Sequence, residues 1–372
     1  MTGLTHFVVV GGSYAGINSA RAIFAEAEAA KTPIKLTLVS ASTHSYYNIA
    51  TPRYLVEPDL LNEKITFDVE KSLRKHAGIN EFEFIYATVK EADFDLKTVK
   101  YSKSNDDVTD LLSYDYLVLA SGCRYSNKAF KLNDSHENTL REVLRLSKSI
   151  KSATNVAVIG GGATGVETAG EIASAYPDKK IHLYCGSGIL QHLGERVSRE
   201  AKSQLEELNV NIIPNIYYTG IETLSDGKQK VIFNNDTSKI FDEVITATAN
   251  IPNTEFIPDR FKNAKGYVKT NEFLALEKYE NVLAIGDVAD KSSGNAVDIL
   301  YYHLPVLKKY IQKNVFKKNV IITPVKSHAP IEIVPISRKG GVGVAWGWSL
   351  PNFVIWLLRS RNYGIPAAGK FL

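Results

Sequence analysis

Two glycine-rich loops each join an apolar run to a helix pattern. The first, "FVVVGGSYAG", places Gly11, Ser13 and Gly16 at the three fixed positions of G-x-G-x-x-G. The second, "VAVIGGGATG", holds the complete motif between Gly160 and Gly165. Glycines at this spacing allow a tight turn beside a pyrophosphate, and the following helix offers free N–H groups with a partial positive charge. The two loops predict two dinucleotide sites.

The surroundings of the loops also repeat along the chain. Each loop is followed by a helix pattern, a second apolar strand, a meander of short alternating strands, and a closing strand. The closing strands are "YDYLVLASG" (Tyr114–Gly122) and "FDEVITATA", which begins at Phe241. This repeat predicts an α/β fold with two Rossmann-like dinucleotide-binding domains, β-meander insertions and a small C-terminal α+β region. The predicted domains are 1–122 with 250–310, then 123–249, then 311–372.

Composition narrows the class of protein. The chain has 372 residues, a net charge of +4 and two cysteines, Cys123 and Cys185. A disulfide framework, a zinc cluster and a CxxC redox pair are excluded by two cysteines so far apart, and no metal site is predicted. The weak charge argues against nucleic acid as the main partner. We expect an intracellular, non-secreted protein without a membrane span, because no signal core and no long apolar run occur.

A third motif indicates which nucleotide binds at which loop. The segment "NVLAIGDVAD" ends an apolar strand in Gly286 and Asp287. It resembles the second flavin motif of two-dinucleotide-binding flavoproteins, the FAD/NAD(P)-dependent pyridine nucleotide-disulfide oxidoreductase superfamily. The resemblance implies FAD at the first loop and NADH or NADPH at the second. The FAD-binding residues it implies are Gly11, Gly12, Ser13, Tyr14, Ala15, Gly16, Arg53, Val89, Ser121, Gly122, Gly286 and Asp287. The NAD(P)H-binding residues it implies are Gly160, Gly162, Ala163, Thr164, Gly165 and Glu167.

Both nucleotide units depart from the usual pattern at the end of the second strand. An acid commonly binds the adenosine ribose there. The first unit has Ser40, so we expect an unusual adenosine site. The second has Cys185 and Gly186, and Arg196 is the first arginine that follows. The choice between NADH and NADPH stays open, and use of both is consistent with the sequence.

One branch of the superfamily fits best. "GGGATGVETAGEIASAYPDKKIHLY", "HSYYNIATPRYLV" and "LLRSRNYG" resemble the apoptosis-inducing-factor-like branch, which includes ferroptosis suppressor protein, and more distantly the type II NADH dehydrogenases. The resemblance implies an FAD-dependent NAD(P)H:quinone oxidoreductase. Without a dithiol, electrons pass from the flavin directly to a quinone-type acceptor. Two alternatives stay open: a reductase of a protein electron carrier, and a cell-death effector that binds nucleic acid.

The same resemblance assigns roles to single residues. Arg53 contacts the flavin cofactor, and Val89 contacts its adenine end through the backbone. Glu167 lies near the nicotinamide and flavin rings, although a first-turn acid on a helix is the simpler alternative. Arg359 supplies a cation that stabilises negative charge on the reduced flavin. Cys123 is expected either near the flavin or as a small buried residue.

The C-terminal region concentrates aromatic and basic residues. Its apolar residues, in the segment Gly340–Asn362, are Trp346, Trp348, Phe353, Ile355, Trp356, Leu357 and Leu358. The lysines that precede it are Lys308, Lys309, Lys313, Lys317, Lys318 and Lys326. Three interpretations fit: a peripheral membrane contact, closure of the core beside the flavin, and a homodimer interface. A cytoplasmic location and a mitochondrial surface both fit the chain.

Overall fold

An eight-stranded sheet carries the first glycine loop. The computed structural model describes residues 3–62, 65–103, 108–132, 134–248, 250–292, 294–325 and 329–372, so Lys326 lies outside the described residues. The strand order is β18-β19-β8-β1-β2-β5-β6-β7. Its strands are β1 (Thr5–Val10), β2 (Ile34–Ser40), β5 (Glu81–Asp93), β6 (Thr98–Lys103), β7 (Thr109–Ser113), β8 (Tyr116–Leu119), β18 (Ala275–Leu276) and β19 (Tyr279–Ala284).

The centre of this sheet is parallel, and its far edge is the first meander. Strand β1 pairs in parallel with β2 and β8, while β5, β6 and β7 pair antiparallel. The long β5 belongs to both parts, since its first half pairs with β2 and its second half with β6. The central residues of β1 are buried because helices cover the parallel part of such a sheet.

The second glycine loop belongs to a smaller, four-stranded parallel sheet of order β12-β11-β10-β16. Its strands are β10 (Asn155–Ile159), β11 (Lys180–Tyr184), β12 (Asn211–Ile213) and β16 (Glu243–Thr246). The second meander is a separate antiparallel sheet of β13 (Tyr218–Thr223), β14 (Gln229–Phe233) and β15 (Ser238–Phe241). Short antiparallel pairs join β9 (Cys123–Arg124) to β17 (Ile251–Pro252) and β3 (His44–Tyr46) to β4 (Thr66–Asp68).

Helices pack on the sheets through the faces that periodicity predicts. Ile17, Ile23 and Phe24 of α1 are buried, and so are Val166 and Ile172 of α5. The α-helices are α1 (Tyr14–Ala30), α2 (Thr51–Tyr54), α3 (Val69–Arg74), α4 (His136–Ser152), α5 (Ala163–Ala175), α6 (Glu195–Glu207), α7 (Leu304–Asn314) and α8 (Asn352–Ile355). The 3-10 helical segments are Asn48–Ala50, Pro58–Asn62, Gln191–Leu193, Asp259–Phe261 and Ile365–Lys370. Two π-helical turns are Asp298–His303 and Trp356–Ser360.

The C-terminal region adds a small antiparallel sheet to the second nucleotide unit. It consists of β20 (Glu332–Ser337), β21 (Gly340–Ala345) and β22 (Trp348–Ser349). It approaches α5 so closely that a Cβ at Gly170 would lie 2.0 Å from the carbonyl oxygen of Ile336. The predicted α/β fold, with two Rossmann-like units, meanders and a C-terminal α+β region, is confirmed. Among the described residues, no helix combines the length and apolar character needed to cross a bilayer.

Candidate functional site

One cavity of about 900 Å³ joins the two nucleotide units. The end of β1 lines the cavity on the side of the first unit, and the start of α5 lines it on the side of the second. Strand β20 forms a further wall. Residues predicted for the FAD site that line the cavity are Gly11, Gly12, Ser13, Tyr14, Ala15, Val89, Ser121, Gly122 and Asp287. Those predicted for the nicotinamide site and for catalysis are Gly162, Ala163, Thr164, Glu167 and Arg359. Sequence-distant residues are therefore brought to one place.

Serine replaces the middle glycine of the first loop without backbone strain. Ser13 is the N-cap of α1 at φ −122°, and Gly162 is the N-cap of α5 at φ −78°. Both values are open to any residue, and a Cβ at Gly162 would meet nothing within 4 Å. The first glycines differ, since Gly11 has φ +121° and Gly160 has φ +136°. The first loop thus keeps the glycine that its backbone needs.

The third glycine of each loop allows close packing instead of lining the cavity. A Cβ at Gly16 would lie 1.8 Å from the carbonyl oxygen of Gly11, and a Cβ at Gly165 would lie 1.9 Å from that of Gly160. Neither Ser13 nor Gly162 caps its helix through a side chain. The first N–H groups of α1 and α5 therefore stay available to an anion.

Ser40 occupies the place where an acid commonly binds the adenosine ribose. Its hydroxyl donates to the carbonyl of Ser42 at 2.8 Å, and its side chain packs against Gly12, where a Cβ would lie 2.5 Å from the Ser40 Oγ. Ser40 and Ser42 both line the cavity. Hydroxyl groups therefore stand in place of a carboxylate at the predicted ribose position.

A second cavity of about 650 Å³ begins at Gly160 and ends at the meander. Cys185, Gly186 and Tyr217 form part of its wall, and a Cβ at Gly186 would lie 2.7 Å from the Tyr217 ring. Among the described residues that line it, no aspartate, glutamate, lysine or arginine occurs. This wall neither repels nor attracts a 2′-phosphate through a fixed charge.

Asp287 has a partner that the motif does not reveal. Lys131 Nζ forms a short ion pair with the Asp287 carboxylate, and both residues line the larger cavity. Burial opposes the charged form of Lys131, but Asp287 holds the pKa of Lys131 above its usual range. Cys123 donates to the Asp287 carbonyl at 2.9 Å, and burial raises the pKa of the Cys123 thiol to about 11. Cys123 is thus both buried and adjacent to the predicted flavin motif.

Gly286 lies behind Asp287, away from the cavity. A Cβ at this position would lie 2.7 Å from the Cβ of Ala15, so glycine allows the end of β19 to approach α1. Its N–H donates to Nδ1 of His303 at 3.0 Å. Gly286 thus fixes the backbone from which Asp287 reaches the cavity, and does not itself line it.

Glu167 and Arg359 face the same cavity from different regions. Glu167 lies in the second turn of α5, so it is not the first-turn acid of the simpler alternative, while Arg359 follows α8 and donates to Tyr47 Oη at 3.3 Å. Burial raises the pKa of Glu167 well above its usual value, Arg359 opposes the shift, and Glu332 adds to it. The cavity therefore holds a carboxyl group with a raised pKa beside a fixed cation.

Arg53 does not line the cavity. Its Nε and Nη2 donate to the two carboxylate oxygens of Glu171 at 2.6 and 2.8 Å, and Nη2 also donates to the carbonyl of Ser360 at 3.0 Å. Its side chain is fully buried, with the guanidinium over the ring of Tyr363. The structure gives Arg53 a buried carboxylate partner behind the site in place of a cavity-facing position.

Three residues of the site were missed by sequence reasoning. Lys131, His192 and Glu332 all line the larger cavity. Lys131 follows no recognisable motif, and the imidazole of His192 contacts a carboxylate 140 residues away. Their only signal in the sequence is residue type, which is too weak to identify a site.

The chain belongs to the pyridine nucleotide-disulphide oxidoreductase family, whose pattern matches residues 5–303. "Oxidoreductase ptaL" of Pestalotiopsis fici is 30% identical over 367 residues, covering 97% of this chain and 96% of that protein. Ferroptosis suppressor protein 1 of Mus musculus is 25% identical over 389 residues, covering 99% and 96%. The covalent putidaredoxin reductase–putidaredoxin complex has a TM-score of 0.71 at 19% identity, covering 91% of this chain and 80% of that chain, which shows the fold alone. The resemblance predicted from the sequence is confirmed, and the chain is an oxidoreductase of this family.

Proposed function

We propose that this chain is an FAD-dependent NAD(P)H:quinone oxidoreductase, which passes electrons from the flavin directly to a quinone-type acceptor. The observation that carries the proposal is the single cavity lined by both glycine loops. A nucleotide at each loop extends into the same space, where the two reactive rings meet. When bound, FAD supplies the two-electron chemistry, and the protein supplies binding, orientation and electrostatics.

The residues of the first unit fit FAD. Gly11 gives the turn, the free N–H groups at the start of α1 face the cavity, and the Ser40 hydroxyl lies at the adenosine end. Val89 of β5 lines that region, where its backbone is placed to meet the adenine. Asp287, held by Lys131, is placed for the ribityl–phosphate part. The fit includes one unusual feature, hydroxyl groups in place of the usual carboxylate at the ribose position.

The nicotinamide nucleotide occupies the second cavity and the start of α5. Gly162, Ala163 and Thr164 line the larger cavity, and Gly162 lines the smaller one as well. Because no fixed charge among the described lining residues selects for or against a 2′-phosphate, we propose that the chain uses both NADH and NADPH.

Electrons leave without a dithiol relay. The two cysteines are free and buried, and the raised pKa of Cys123 leaves little thiolate near neutral pH. Glu167 is placed to hold a proton for the acceptor because burial favours its protonated form. Arg359, anchored on Tyr47, stabilises negative charge at the same cavity.

A peripheral membrane contact gives access to a quinone dissolved in lipid. The exposed apolar side chains near the C-terminus, named here the C-terminal apolar patch, are Trp346, Trp348, Phe353, Trp356, Leu357 and Leu358. After Asp298, Glu332 is the only acidic residue in the sequence, against eleven lysines and arginines. Aromatic and apolar side chains within a basic segment suit an anionic lipid surface. Arg359 follows the patch directly and reaches the cavity, so the patch adjoins the site.

Anaerobic stopped-flow spectroscopy tests this function. The FAD-loaded protein is reduced with NADH or NADPH and then mixed with a soluble benzoquinone, with a ferredoxin-type iron–sulfur carrier, or with buffer. We expect rapid flavin reoxidation by the quinone and slow reoxidation in the other two. Fast reoxidation by the carrier alone would replace the proposal with a carrier reductase. If no quinone reoxidises the flavin and the protein is retained on DNA in a salt-dependent way, the nucleic-acid-binding alternative would be favoured.

A further inference from the structure

His192 stands where the two cavities meet. It lies on the short 3-10 turn Gln191–Leu193, just before α6, and its side chain lines both the larger and the smaller cavity. Gly162, the N-cap of α5, also lines both. A ligand that occupied both cavities would therefore lie beside these two residues.

A carboxylate from a distant element holds the imidazole in place. The Nε2 of His192 lies 3.0 Å from Oε2 of Glu332, which is the first residue of β20. Glu332 also lines the larger cavity, and its side chain is 21% exposed against 53% for His192. The pair therefore bridges the second nucleotide unit and the C-terminal sheet across the route between the cavities.

We propose that His192, oriented by Glu332, binds the pyrophosphate of the nicotinamide dinucleotide and makes its affinity depend on pH. This inference rests on the proposed function, because it assigns a ligand to the same site. It goes further by naming a positioning pair that the glycine motif does not contain. The ligand class is a dinucleotide with an ionised pyrophosphate.

The charge distribution favours an anion at this point. Among the described residues that line the smaller cavity, His192 is the only side chain that carries a positive charge in the ordinary pH range. On α6, which follows His192, Glu195 pairs with Arg199 and Arg196 pairs with Glu200. The protonated His192–Glu332 pair is neutral overall, whereas the deprotonated pair leaves a carboxylate facing the phosphates.

The direction of the pH effect follows from this pairing. The hydrogen bond that His192 donates to the Glu332 carboxylate raises the pKa of His192 above its ordinary 6.5, although burial opposes this shift. His192 is thus protonated below that raised pKa, and the pyrophosphate gains a cationic partner beside the free N–H groups of α5. As pH rises through the raised pKa, the cation is lost and dinucleotide affinity falls. Glu167 also faces the larger cavity. Variants must therefore distinguish the effect of His192 on dinucleotide affinity from the effect of Glu167.

Calorimetric titration of the FAD-loaded protein with NAD+ tests the inference. NAD+ is used because it does not reduce the flavin and lacks a 2′-phosphate that titrates near neutrality. We expect affinity to fall by roughly 3- to 5-fold between about pH 6 and about pH 8.5, the size of a partly exposed charge pair. His192→Gln should remove this pH dependence. Glu332→Gln should move the fall to lower pH, because the histidine loses the partner that raises its pKa.

His182→Gln provides the matched control. His182 lies on β11 of the same sheet, contacts Asn211 and lines neither cavity, so its variant should keep the parent profile. A parent affinity that is independent of pH, or a His192→Gln variant that keeps the fall, would overturn the inference while the proposed function stands. Failure of the FAD-loaded parent to bind NAD+ at every pH would overturn the proposed function as well.

Discussion

Arg53 and Glu171 form a bidentate ion pair between the two nucleotide units. The guanidinium of Arg53, on α2, donates to both carboxylate oxygens of Glu171, on α5, at 2.6 and 2.8 Å. Both side chains are buried, at 1% and 3% exposure. Arg53 also lies 3.9 Å from Glu57, which binds Arg338 of the C-terminal hairpin. This chain of charges connects the first unit, the second unit and the C-terminal sheet behind the cavity.

Breaking this pair should destabilise the protein strongly. Arg53→Met leaves the buried Glu171 carboxylate without its partner, so we expect a loss of about 3–5 kcal/mol in the free energy of unfolding. The double variant Arg53→Met with Glu171→Met should recover most of that loss, because no charge is left unpaired. Denaturant unfolding measures both variants. Arg74→Met, which breaks the exposed pair with Glu70, serves as control and should cost less than about 1 kcal/mol. Equal losses for Arg53→Met and Arg74→Met would contradict the account.

The first loop should tolerate change at its second position but not at its third. Gly16→Ala places a Cβ 1.8 Å from the Gly11 carbonyl oxygen and should abolish flavin retention. Ser13→Gly should retain at least the parent amount of flavin, because Ser13 has an unstrained backbone and makes no capping hydrogen bond. The flavin-to-protein absorbance ratio gives the result, with circular dichroism to show that Gly16→Ala is folded. Flavin loss on Ser13→Gly with full retention in a folded Gly16→Ala would refute this description of the loop.

Glu167→Gln should separate stability from activity. Burial raises the pKa of Glu167, so the folded state holds this proton more tightly than the unfolded chain does. Parent stability therefore falls as pH rises from the unfolded value, about 4.3, to the folded pKa, at up to about 1.4 kcal/mol per pH unit. Glutamine does not titrate, so the variant loses no stability in this pH range. It should therefore match the stability of the parent at low pH and exceed it above the folded pKa of Glu167. Quinone reduction should fall roughly 10²-fold.

Thermal unfolding across pH and steady-state rates together check the Glu167 prediction. Glu195→Gln is the control, since Glu195 is 92% exposed on α6 and should change neither quantity. A Glu167→Gln variant with parent activity and a parent pH profile would remove Glu167 from the proposed chemistry.

The C-terminal apolar patch should bind anionic vesicles. Replacing Trp348, Phe353 and Leu357 together by alanine removes three exposed apolar side chains and should weaken vesicle binding at least about 10-fold. Sedimentation with phosphatidylserine-containing vesicles measures this, and added salt should weaken the parent. Leu96→Ala with Leu111→Ala, at exposed sites elsewhere, should leave binding unchanged. A parent that ignores vesicles but is dimeric by light scattering, and becomes monomeric in the triple variant, would assign the patch to a second copy.

Local sequence features were sufficient for the nucleotide loops. The turn at Gly11 and the helix start at Ser13 depend on neighbouring residues, so their spacing predicts them well. The repeat then predicts both sheets, because each βαβ unit has one favoured handedness. The sequence allowed three interpretations of the C-terminal region. Ile355 is buried, which is consistent with closure of the core, whereas the C-terminal apolar patch is exposed, which is consistent with a membrane contact or a dimer interface.

The contacts that complete the site could not be predicted from spacing. Lys131 meets Asp287 across 156 residues, and Arg53 meets Glu171 across 118. Such pairs depend on how the two units pack against each other, which no local pattern specifies. For Arg53, resemblance pointed to the flavin, whereas packing places its guanidinium against a buried carboxylate. The sequence predicted a functional role for Arg53, but only the fold shows that its partner is Glu171.

The most direct test of the central claim is the visible absorption spectrum of the purified, FAD-supplied protein before and after anaerobic addition of NADH. We expect a flavin band that bleaches, because a nucleotide at each loop would reach the cavity lined by Gly11 and Gly162. A Gly160→Ala variant should retain the band but bleach far more slowly, since its Cβ would lie 2.5 Å from the Ala247 carbonyl oxygen in the second loop. A parent protein that acquires no flavin band, or whose band NADH and NADPH leave unchanged, would contradict the account.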